Sequence, residues 1–470
     1  MNYKLALLWL AQVAFTVQLQ LPFHLDGILP QTSSKAHYSS VDPRDHPINL
    51  SQYTHDSVIR IDYSQSRELE TYLKSKSSNE TSDSIVFKKW GKNISRKTID
   101  IQISQPDMFK LTQKFKHALK FEVLIDDLPQ KIFETYPQAA SAQSEEVVTN
   151  TELFFQDYRN LDTINAWLEL LAASYPEIIS LEDIGETFEH RKLKVVHFTV
   201  PHEHTDDEDH GDRRTVVITG GVHSREWISV SSTLYAIYEL VELYKVDPNS
   251  KIFVELDFLF IPVYNPDGYQ YTWSTDRLWR KNRQKTIKPN CFGIDIDHAF
   301  NYHWTRSSDW ACGEEYSGEH PLEALEARIW HEYLNETNAD HKIWGFIDLH
   351  SYAEEILYPY AFSCEDQPRD EENLVELAYG LAKAIRLQTG RLYQVFAACL
   401  DRDADLLPDL GAGTILDYMY HNRADFAYQL KLRDTGNHGF LLPAKQIVPV
   451  GKEVVASLKY LFHFLIDNDR

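Results

Sequence analysis

The chain has 470 residues, of which 43% are hydrophobic, 13% aromatic and 25% charged. This proportion of apolar and aromatic side chains excludes a disordered chain and a collagen-like fibre, and the length suggests roughly three domains, or one large α/β unit with a smaller one. The formal net charge of −23 would repel phosphate backbones and anionic membranes, so we expect no nucleic-acid partner.

The N-terminus carries the pattern of a secretory signal. Lys4 precedes an apolar run from Leu5 to Val17, which is shorter than the roughly 20 residues that a membrane-spanning helix needs. We therefore predict a cleaved signal peptide over residues 1–20 and a leader rich in Pro, Ser, His and Asp over residues 21–52. No later stretch is apolar enough to span a membrane, so the sequence predicts a secreted or vacuolar protein. Glycosylation triplets that suit this location begin at Asn49, Asn79, Asn93 and Asn335.

Residues 53–135 are predicted to form a small α+β domain. Runs of strand-forming residues and amphipathic stretches follow the order β-α-β-β-α-β, the plan of a ferredoxin-like domain, although an arbitrary α+β arrangement fits the same pattern. The strands are predicted at residues 58–63, 84–90, 98–104 and 120–128, and the helices at 67–76 and 109–119. Residues 136–152 are polar and small, which predicts an exposed linker that a protease could cut.

Residues 153–470 are predicted to form one large domain. Short strands rich in Val, Ile, Leu and Phe are bounded by turn residues, as expected when both faces of a sheet are covered. Longer helical stretches lie between them, and the first of these is predicted to begin after Asp162 as its cap. The alternation predicts an α/β fold with a mixed, mostly parallel central sheet flanked by helices.

Two segments at predicted strand ends carry metal-binding residue types. The segment HSRE at 223–226 directly follows one strand, and His350 ends another. In open α/β sheets, binding residues gather at the carboxyl ends of the strands. Two imidazoles and one carboxylate are the donors of a zinc site whose fourth position stays open. The sequence therefore predicts one Zn²⁺ ion held by His223, Glu226 and His350, whereas the histidines of the acidic stretch 202–214 are interpreted as solvated.

These segments resemble the M14 metallocarboxypeptidases, the pancreatic carboxypeptidase A/B family. The matching segments GGVHSREWIS, YNPDGY, DRLWRKNR, FIDLHSY, LYPY and LRDTGNHGFLLP run through nearly all of the chain after about residue 150. The resemblance implies the zinc carboxypeptidase fold, the three zinc ligands, and an activation (pro) segment in the ferredoxin-like domain. It also implies substrate-contacting residues at Arg225, Arg280, Ser351 and Tyr352, and a disulfide between Cys291 and Cys312. Only the even number of cysteines suggests a second bridge between the remaining two, Cys364 and Cys399.

The sequence departs from the family pattern where hydrolysis needs a base. A positioned group must take a proton from the metal-bound water and pass it to the leaving amine. The family has a glutamate at the head of an E-L-R-D stretch, and this chain has Lys431 there. A protonated lysine cannot accept a proton, although burial beside a metal could depress its pKa enough for a neutral Lys431 to act as the base.

Two further departures affect substrate binding. The family holds the terminal carboxylate of the substrate with an Asn-Arg pair, which matches Asp297 and His298 here. Asp297 repels a carboxylate and His298 is mostly neutral at pH 7, so the bidentate clamp is lost. The loop at 399–416 lacks the tyrosine that closes over substrate in the family, and Leu416 and Asp417 predict an apolar floor for any remaining pocket.

We therefore predict a zinc-binding pseudo-carboxypeptidase of the secretory pathway. It is similar to the fungal inactive metallocarboxypeptidases that are linked to cell-wall organisation and share the Lys-for-Glu exchange. The retained zinc would either join two strand ends or build a pocket for a peptide or protein ligand other than a free C-terminus. Two alternatives stay open, namely an active zinc carboxypeptidase with unusual specificity and a lectin-like or scaffold protein that reuses the fold. The sequence does not indicate the oligomeric state.

Overall fold

The computed structural model describes residues 48–75, 85–93, 95–137, 151–201, 213–337, 342–401 and 412–467. The predicted signal peptide, most of the leader, the triplet at Asn79, most of the predicted linker, and the segments 202–212 and 402–411 lie outside these residues. Within the described ranges, the search for a helix that is both long and apolar enough to cross a membrane finds none.

The small domain has strands and helices in the order expected from the sequence. The elements are β1 (Asp56–Asp62), α1 (Arg67–Ser75), β2 (Phe87–Asn93), β3 (Thr98–Ser104), α2 (Gln105–Lys114) and β4 (Lys120–Ile125), followed by a short α3 (Leu128–Phe133). The strands form an antiparallel sheet in the order β2-β3-β1-β4. Helix α2 begins and ends earlier than the predicted range 109–119. It begins at Gln105 because the Ser104 hydroxyl caps it by accepting the Asp107 N–H, and Pro106 lies in its first turn.

The large domain is built on a mixed sheet of eight described strands. In chain order these are β5 (Ile179–Glu186), β6 (Lys192–Phe198), β7 (Arg214–Gly220), β8 (Leu256–Ile261), β9 (Lys342–Ser351), β10 (Glu355–Tyr358), β11 (Gln394–Ala397) and β12 (Phe426–Leu432). In space they follow the order β11-β10-β12-β9-β7-β8-β6-β5. The pairs β11–β10, β12–β9, β9–β7 and β7–β8 are parallel, and the other pairs are antiparallel. The predicted mixed, mostly parallel sheet is confirmed.

Helices pack against this sheet and close a single large core. They are α4 (Thr151–Phe154), α5 (Leu161–Ser174), α6 (Trp227–Val246), α7 (Lys251–Glu255), α8 (Pro266–Ser274), α9 (Leu325–Glu336), α10 (Glu371–Thr389), α11 (Ile415–Asn422) and α12 (Ile447–Asp467). Helix α6 is buried from Trp227 to Ile237, where small Ser and Thr side chains pack among larger apolar ones. The cap of α5 is Asn160, whose Oδ1 accepts the Thr163 N–H at 2.9 Å. The expected cap Asp162 is wrong because the helix already begins at Leu161.

The small domain shares the core of the large domain. Eight buried side chains between residues 48 and 136 belong to the same cluster as the large sheet, namely Ile48, Tyr53, Val58, Trp90, Ile125, Leu128, Ile132 and Tyr136. The Tyr136 hydroxyl donates a hydrogen bond to the carbonyl oxygen of Thr272 at 2.7 Å. The remaining apolar residues of the small domain form a cluster of their own. The two domains are therefore joined by apolar packing as well as by the chain.

Glu326 of α9 is a buried carboxyl group that makes stability depend on pH. Its side chain is 0% exposed, one oxygen accepts a hydrogen bond from Asn282 Nδ2 at 2.7 Å, and burial raises its pKa from 4.5 to about 7. Between these two values the folded chain keeps a proton that the unfolded chain has released. The contribution of Glu326 to the free energy of unfolding therefore falls as the pH rises through this window.

Glu326→Gln is expected to remove this titration. Relative to the unchanged chain, the free energy of unfolding of the variant should increase by about 1–3 kcal/mol between pH 4.5 and pH 8. Urea unfolding at both pH values measures this difference. The matched control is Glu332→Gln, because Glu332 is exposed on the same helix and its replacement should give no such gain. A difference that does not change with pH would contradict the role assigned to burial.

Candidate metal centre

The three predicted metal ligands lie at the ends of neighbouring parallel strands. His223 and Glu226 lie in the turn between β7 and α6, and His350 lies near the end of β9, which pairs with β7. The turn is held in place because the Ser224 N–H donates to the carbonyl oxygen of Arg280 at 3.0 Å. The sheet thereby brings together side chains that are more than a hundred positions apart in the sequence.

Each of the three side chains directs one donor atom towards a common point. His223 Nδ1 lies 2.9 Å from Glu226 Oε1, His350 Nδ1 lies 3.1 Å from Glu226 Oε2, and the two Nδ1 atoms are 3.1 Å apart. The Ser351 N–H donates to Glu226 Oε2 at 3.0 Å and orients the carboxylate. All three side chains are buried. Two imidazole nitrogens and a carboxylate oxygen within 4.8 Å of one another are a donor set that fits zinc.

The other nitrogen of each histidine faces a buried carboxylate. His223 Nε2 lies 3.1 Å from Asp295 Oδ1, and His350 Nε2 lies 2.7 Å from Asp348 Oδ2. A carboxylate in this position fixes the tautomer that leaves the opposite nitrogen free for a metal. Neither aspartate was among the predicted site residues. Asp348 could have been found, because it precedes His350 by two positions in a strand and alternation places both side chains on one face.

Charges within the cluster shift the pKa values of its members. Burial would raise the pKa of Glu226, but His223 and His350 outweigh this effect and the pKa lies well below its usual range. Burial would lower the pKa of His350, but Asp348 and Glu226 raise it well above its usual range. A metal binds the neutral imidazole, so a metal that bound at this cluster would displace the proton of His350.

Lys431 lies next to this cluster in the central sheet. It is the register partner of His350 across the β12–β9 pair and of Glu355 across the β12–β10 pair. Directly opposed residues project from the same face of a sheet, so the three side chains form one row. Lys431 is half-buried, and Glu355 is 1% exposed. The lysine therefore has a metal-ligand candidate on one side and a buried carboxyl group on the other.

The two arginines expected to contact substrate both have acidic neighbours. Arg280 Nη2 donates to Asp295 Oδ2 at 2.9 Å. Burial would raise the pKa of Asp295, but the charge of Arg280 helps to hold it well below its usual range. Arg225 is buried, its Nη1 lies 3.0 Å from Glu314 Oε2, and its guanidinium lies 4.2 Å from the ring centre of Phe440. Both guanidinium groups are thus oriented by contacts within the chain.

Asp297 and His298 lie in a short 3₁₀ turn beside the cluster. Asp297 is buried, and its oxygens accept hydrogen bonds from Gln429 Nε2 at 3.2 Å and from the Ile415 N–H at 3.4 Å. Burial would raise the pKa of Asp297, but His298 and the two histidines of the cluster lower it. A negative charge therefore lies at the position that the sequence analysis matched to the family's carboxylate clamp. Gln429 was not among the predicted site residues.

The small domain contacts Tyr352, which the sequence assigned to the substrate groove. The Tyr352 hydroxyl donates to Asp100 Oδ2 at 2.9 Å. Asp100 also accepts two hydrogen bonds from Arg60, each at 2.7 Å, and Arg60 Nη2 donates to the carbonyl oxygen of Thr435 at 2.5 Å. Asp100 and Tyr352 are both buried. Tyr352, which the sequence predicts to line a substrate groove, is thus engaged by a carboxylate of the small domain.

Two disulfides cross-link loops of the large domain. They join Cys291 to Cys312 and Cys364 to Cys399. Asp417 anchors the loop that leads to the second bridge, because its carboxylate accepts the N–H groups of Ala361 and Phe362 at 2.8–3.0 Å. Leu416 is buried beside it.

Of the predicted glycosylation positions, Asn49 and Asn335 are exposed and Asn93 is half-buried.

A family model and curated relatives match most of this chain. The zinc carboxypeptidase family, Peptidase_M14, matches residues 164–457. The inactive metallocarboxypeptidase ECM14 of Saccharomyces cerevisiae is 54% identical over 351 residues, which cover 74% of this chain and 81% of that protein. The inactive metallocarboxypeptidase ECM14 of Ajellomyces dermatitidis is 41% identical over 373 residues, which cover 74% of this chain and 62% of that protein.

Solved structures show the same fold at low sequence identity. Thrombin activatable fibrinolysis inhibitor has a TM-score of 0.74 at 23% identity, covering 88% of this chain and 100% of its own. Carboxypeptidase A from Helicoverpa armigera has a TM-score of 0.73 at 22% identity, covering 88% of this chain and 98% of its own. The family match spans more than half of the chain, and the predicted resemblance is confirmed. This chain belongs to the M14 zinc carboxypeptidase family.

Proposed function

We propose that this chain is a zinc-binding, catalytically silent metallocarboxypeptidase of the secretory pathway. The observation that carries the proposal is the position of Lys431, which lies in register with His350 where the family has its glutamate base. His223, Glu226 and His350 would hold one Zn²⁺ ion, which supplies Lewis-acid polarisation of a coordinated water when it is bound. A protonated lysine beside this position cannot accept the proton of that water.

The carboxylates around the cluster support roles other than that of the general base. Asp295 and Asp348 contact the Nε2 atoms of the histidines, which point away from the shared ligand position. Glu355 is separated from His350 by Lys431 in the row across the sheet. Among the described residues, the other carboxylate grouped with His350 is Asp297, which accepts hydrogen bonds from Gln429 and the Ile415 N–H. These contacts support a metal site in which none of these carboxylates takes the role of the missing base. The names of the two fungal relatives, both called inactive, agree with this proposal.

The compartment and the ligand are also part of the proposal. Every described cysteine is in a disulfide, which suits an oxidising compartment, and the N-terminal sequence pattern supports entry into the secretory pathway. We propose a secreted or vacuolar location and a peptide or protein ligand in the groove. The buried negative charge of Asp297 supports a ligand that does not present a free C-terminal carboxylate there. A role in cell-wall organisation stays a prediction from the resemblance.

Metal analysis and a hydrolysis assay on one purified sample of the full chain test the proposal. We expect about one zinc ion per chain and no release of C-terminal residues from peptides. His350→Ala should reduce the zinc content to near zero, because it removes one of three ligands. His190→Ala is the matched control, since the His190 side chain is 86% exposed and its loss should leave the zinc content unchanged. Release of amino acids that stops with a chelator would establish an active carboxypeptidase instead.

A further inference from the structure

Asp348 occupies a fully buried position behind the second histidine of the metal centre. Its Oδ2 atom lies 2.7 Å from His350 Nε2, and its Oδ1 atom accepts a hydrogen bond from the Thr219 hydroxyl at 2.6 Å. Thr219 is its register partner on β7, so the carboxylate spans the two central strands. Asp348 itself is 0% exposed. Both of its oxygens are therefore fixed, one by the sheet and one by the imidazole.

This contact determines which nitrogen of His350 faces the other ligands. Because Nε2 is directed at Asp348, Nδ1 is directed at Glu226, 3.1 Å away. His223 has the same arrangement, with Nε2 at Asp295 and Nδ1 at Glu226. Each imidazole of the centre thus has its own carboxylate on the side away from the metal position. Such a carboxylate holds the imidazole in the metal-binding tautomer and increases its basicity.

We propose that Asp348 is a positioning residue that strengthens zinc binding through His350. The inference rests on the proposed function, because it requires that the chain bind zinc. It extends that function by explaining how the metal is retained in a site without the catalytic base. An imidazole that is pre-oriented and more basic loses less freedom on binding and holds the ion more tightly. Asp348 acts through His350 and does not itself contact the metal position.

Asp348→Asn tests this inference, because it keeps the shape of the side chain and removes its charge. We expect the zinc dissociation constant of the full chain, measured by competition with a chromophoric chelator, to increase by about 10- to 100-fold. The visible absorption of the Co²⁺-loaded chain should also change, since the orientation of a ligand is altered. Asp348→Ser gives a second variant for the same measurements if the asparagine variant does not fold.

Two controls separate positioning from general effects. Asp267→Asn removes an equally buried carboxylate whose partners are Thr187, Glu189 and Arg191, so the zinc affinity of this variant should stay within about threefold. Thr219→Val removes the bond to the other oxygen of Asp348 and should lower the unfolding temperature more than the zinc affinity. The inference is overturned if Asp348→Asn lowers the unfolding temperature alone, or if Asp267→Asn weakens zinc binding equally. An unchanged chain that binds no zinc would overturn the proposed function and this inference together.

Discussion

Lys431→Glu alone is expected to restore little or no carboxypeptidase activity, although it returns the residue type of the family's base. The first reason is the substrate clamp, because the substrate carboxylate would still meet the buried Asp297 and the half-buried His298. The loss of a charge-assisted bidentate contact amounts to several kcal/mol. We therefore expect the rate of C-terminal hydrolysis to stay at least about a hundredfold below that of a variant with the clamp also restored.

The second reason lies in the central sheet. A glutamate at position 431 would lie directly opposite Glu355, which is 1% exposed. Two carboxylates in this arrangement repel each other, and one of them gains a proton because its pKa rises. The new glutamate would be a poor base whenever it carries this proton.

A combined variant is the matched control for this prediction. It carries Asp297→Asn, His298→Arg and Glu355→Leu together with Lys431→Glu, and it removes both obstacles at once. Peptide hydrolysis by the zinc-loaded single and combined variants measures the difference between them. Equal and substantial activity in the single variant would show that neither the clamp nor Glu355 limits the reaction. Activity confined to the combined variant is the expected result.

Glu453→Leu is expected to destabilise the large domain by about 3–5 kcal/mol. Glu453 of α12 is 0% exposed and accepts hydrogen bonds from Arg433 Nε at 3.0 and 3.1 Å. Its carboxylate also accepts from the hydroxyls of Thr389 and Tyr393. Removal of the carboxylate leaves the buried guanidinium without its charge partner, and this cost exceeds the gain from apolar packing. Because Arg433 follows Lys431 by two residues, the pair also fixes the end of β12 at the metal centre.

A double-mutant cycle provides the control. Arg433→Leu should also destabilise the chain, because it leaves the Glu453 carboxylate buried without its cation. The double variant removes both charges, so its free energy of unfolding should fall by clearly less than the sum of the two single effects. Denaturant unfolding of the three variants measures this coupling. Additive losses would show that the two side chains act independently and that the ion pair does not hold the strand end.

The fold and the convergence of the three ligand candidates could be predicted because both depend on local sequence patterns. Short apolar runs between turn residues indicate strands, and strands of an α/β sheet bring their carboxyl ends to one edge. His223, Glu226 and His350 each follow such a run, so their proximity did not require knowledge of the strand order. The contact of Asp348 with His350 could have been predicted in the same way, since a charged residue in a buried strand needs a partner on its own face of the sheet.

Other parts of the site depend on contacts that a single sequence does not reveal. The pairing of Glu355 with Lys431 is a matter of register between β10 and β12, which are more than 60 positions apart in the chain. Asp295 reaches His223 from a loop without a periodic pattern. Tyr136 lies in a stretch whose composition indicated a linker, yet its ring is buried against Trp227 and Trp273. In each case the tertiary partner, and not the local propensity, decides the position.

The hydrogen bond between Tyr352 and Asp100 has a consequence for regulation. If Tyr352 lines the proposed ligand groove, its hydroxyl would serve either the small domain or the ligand, and the two would compete for one donor. Binding equilibria are reciprocal. A ligand bound through Tyr352 would weaken the attachment of the small domain, and the small domain would lower the affinity of the ligand by the same factor. Proteolytic loss of the small domain would accordingly raise ligand affinity, and the N-terminal third of the chain would act as a built-in competitor.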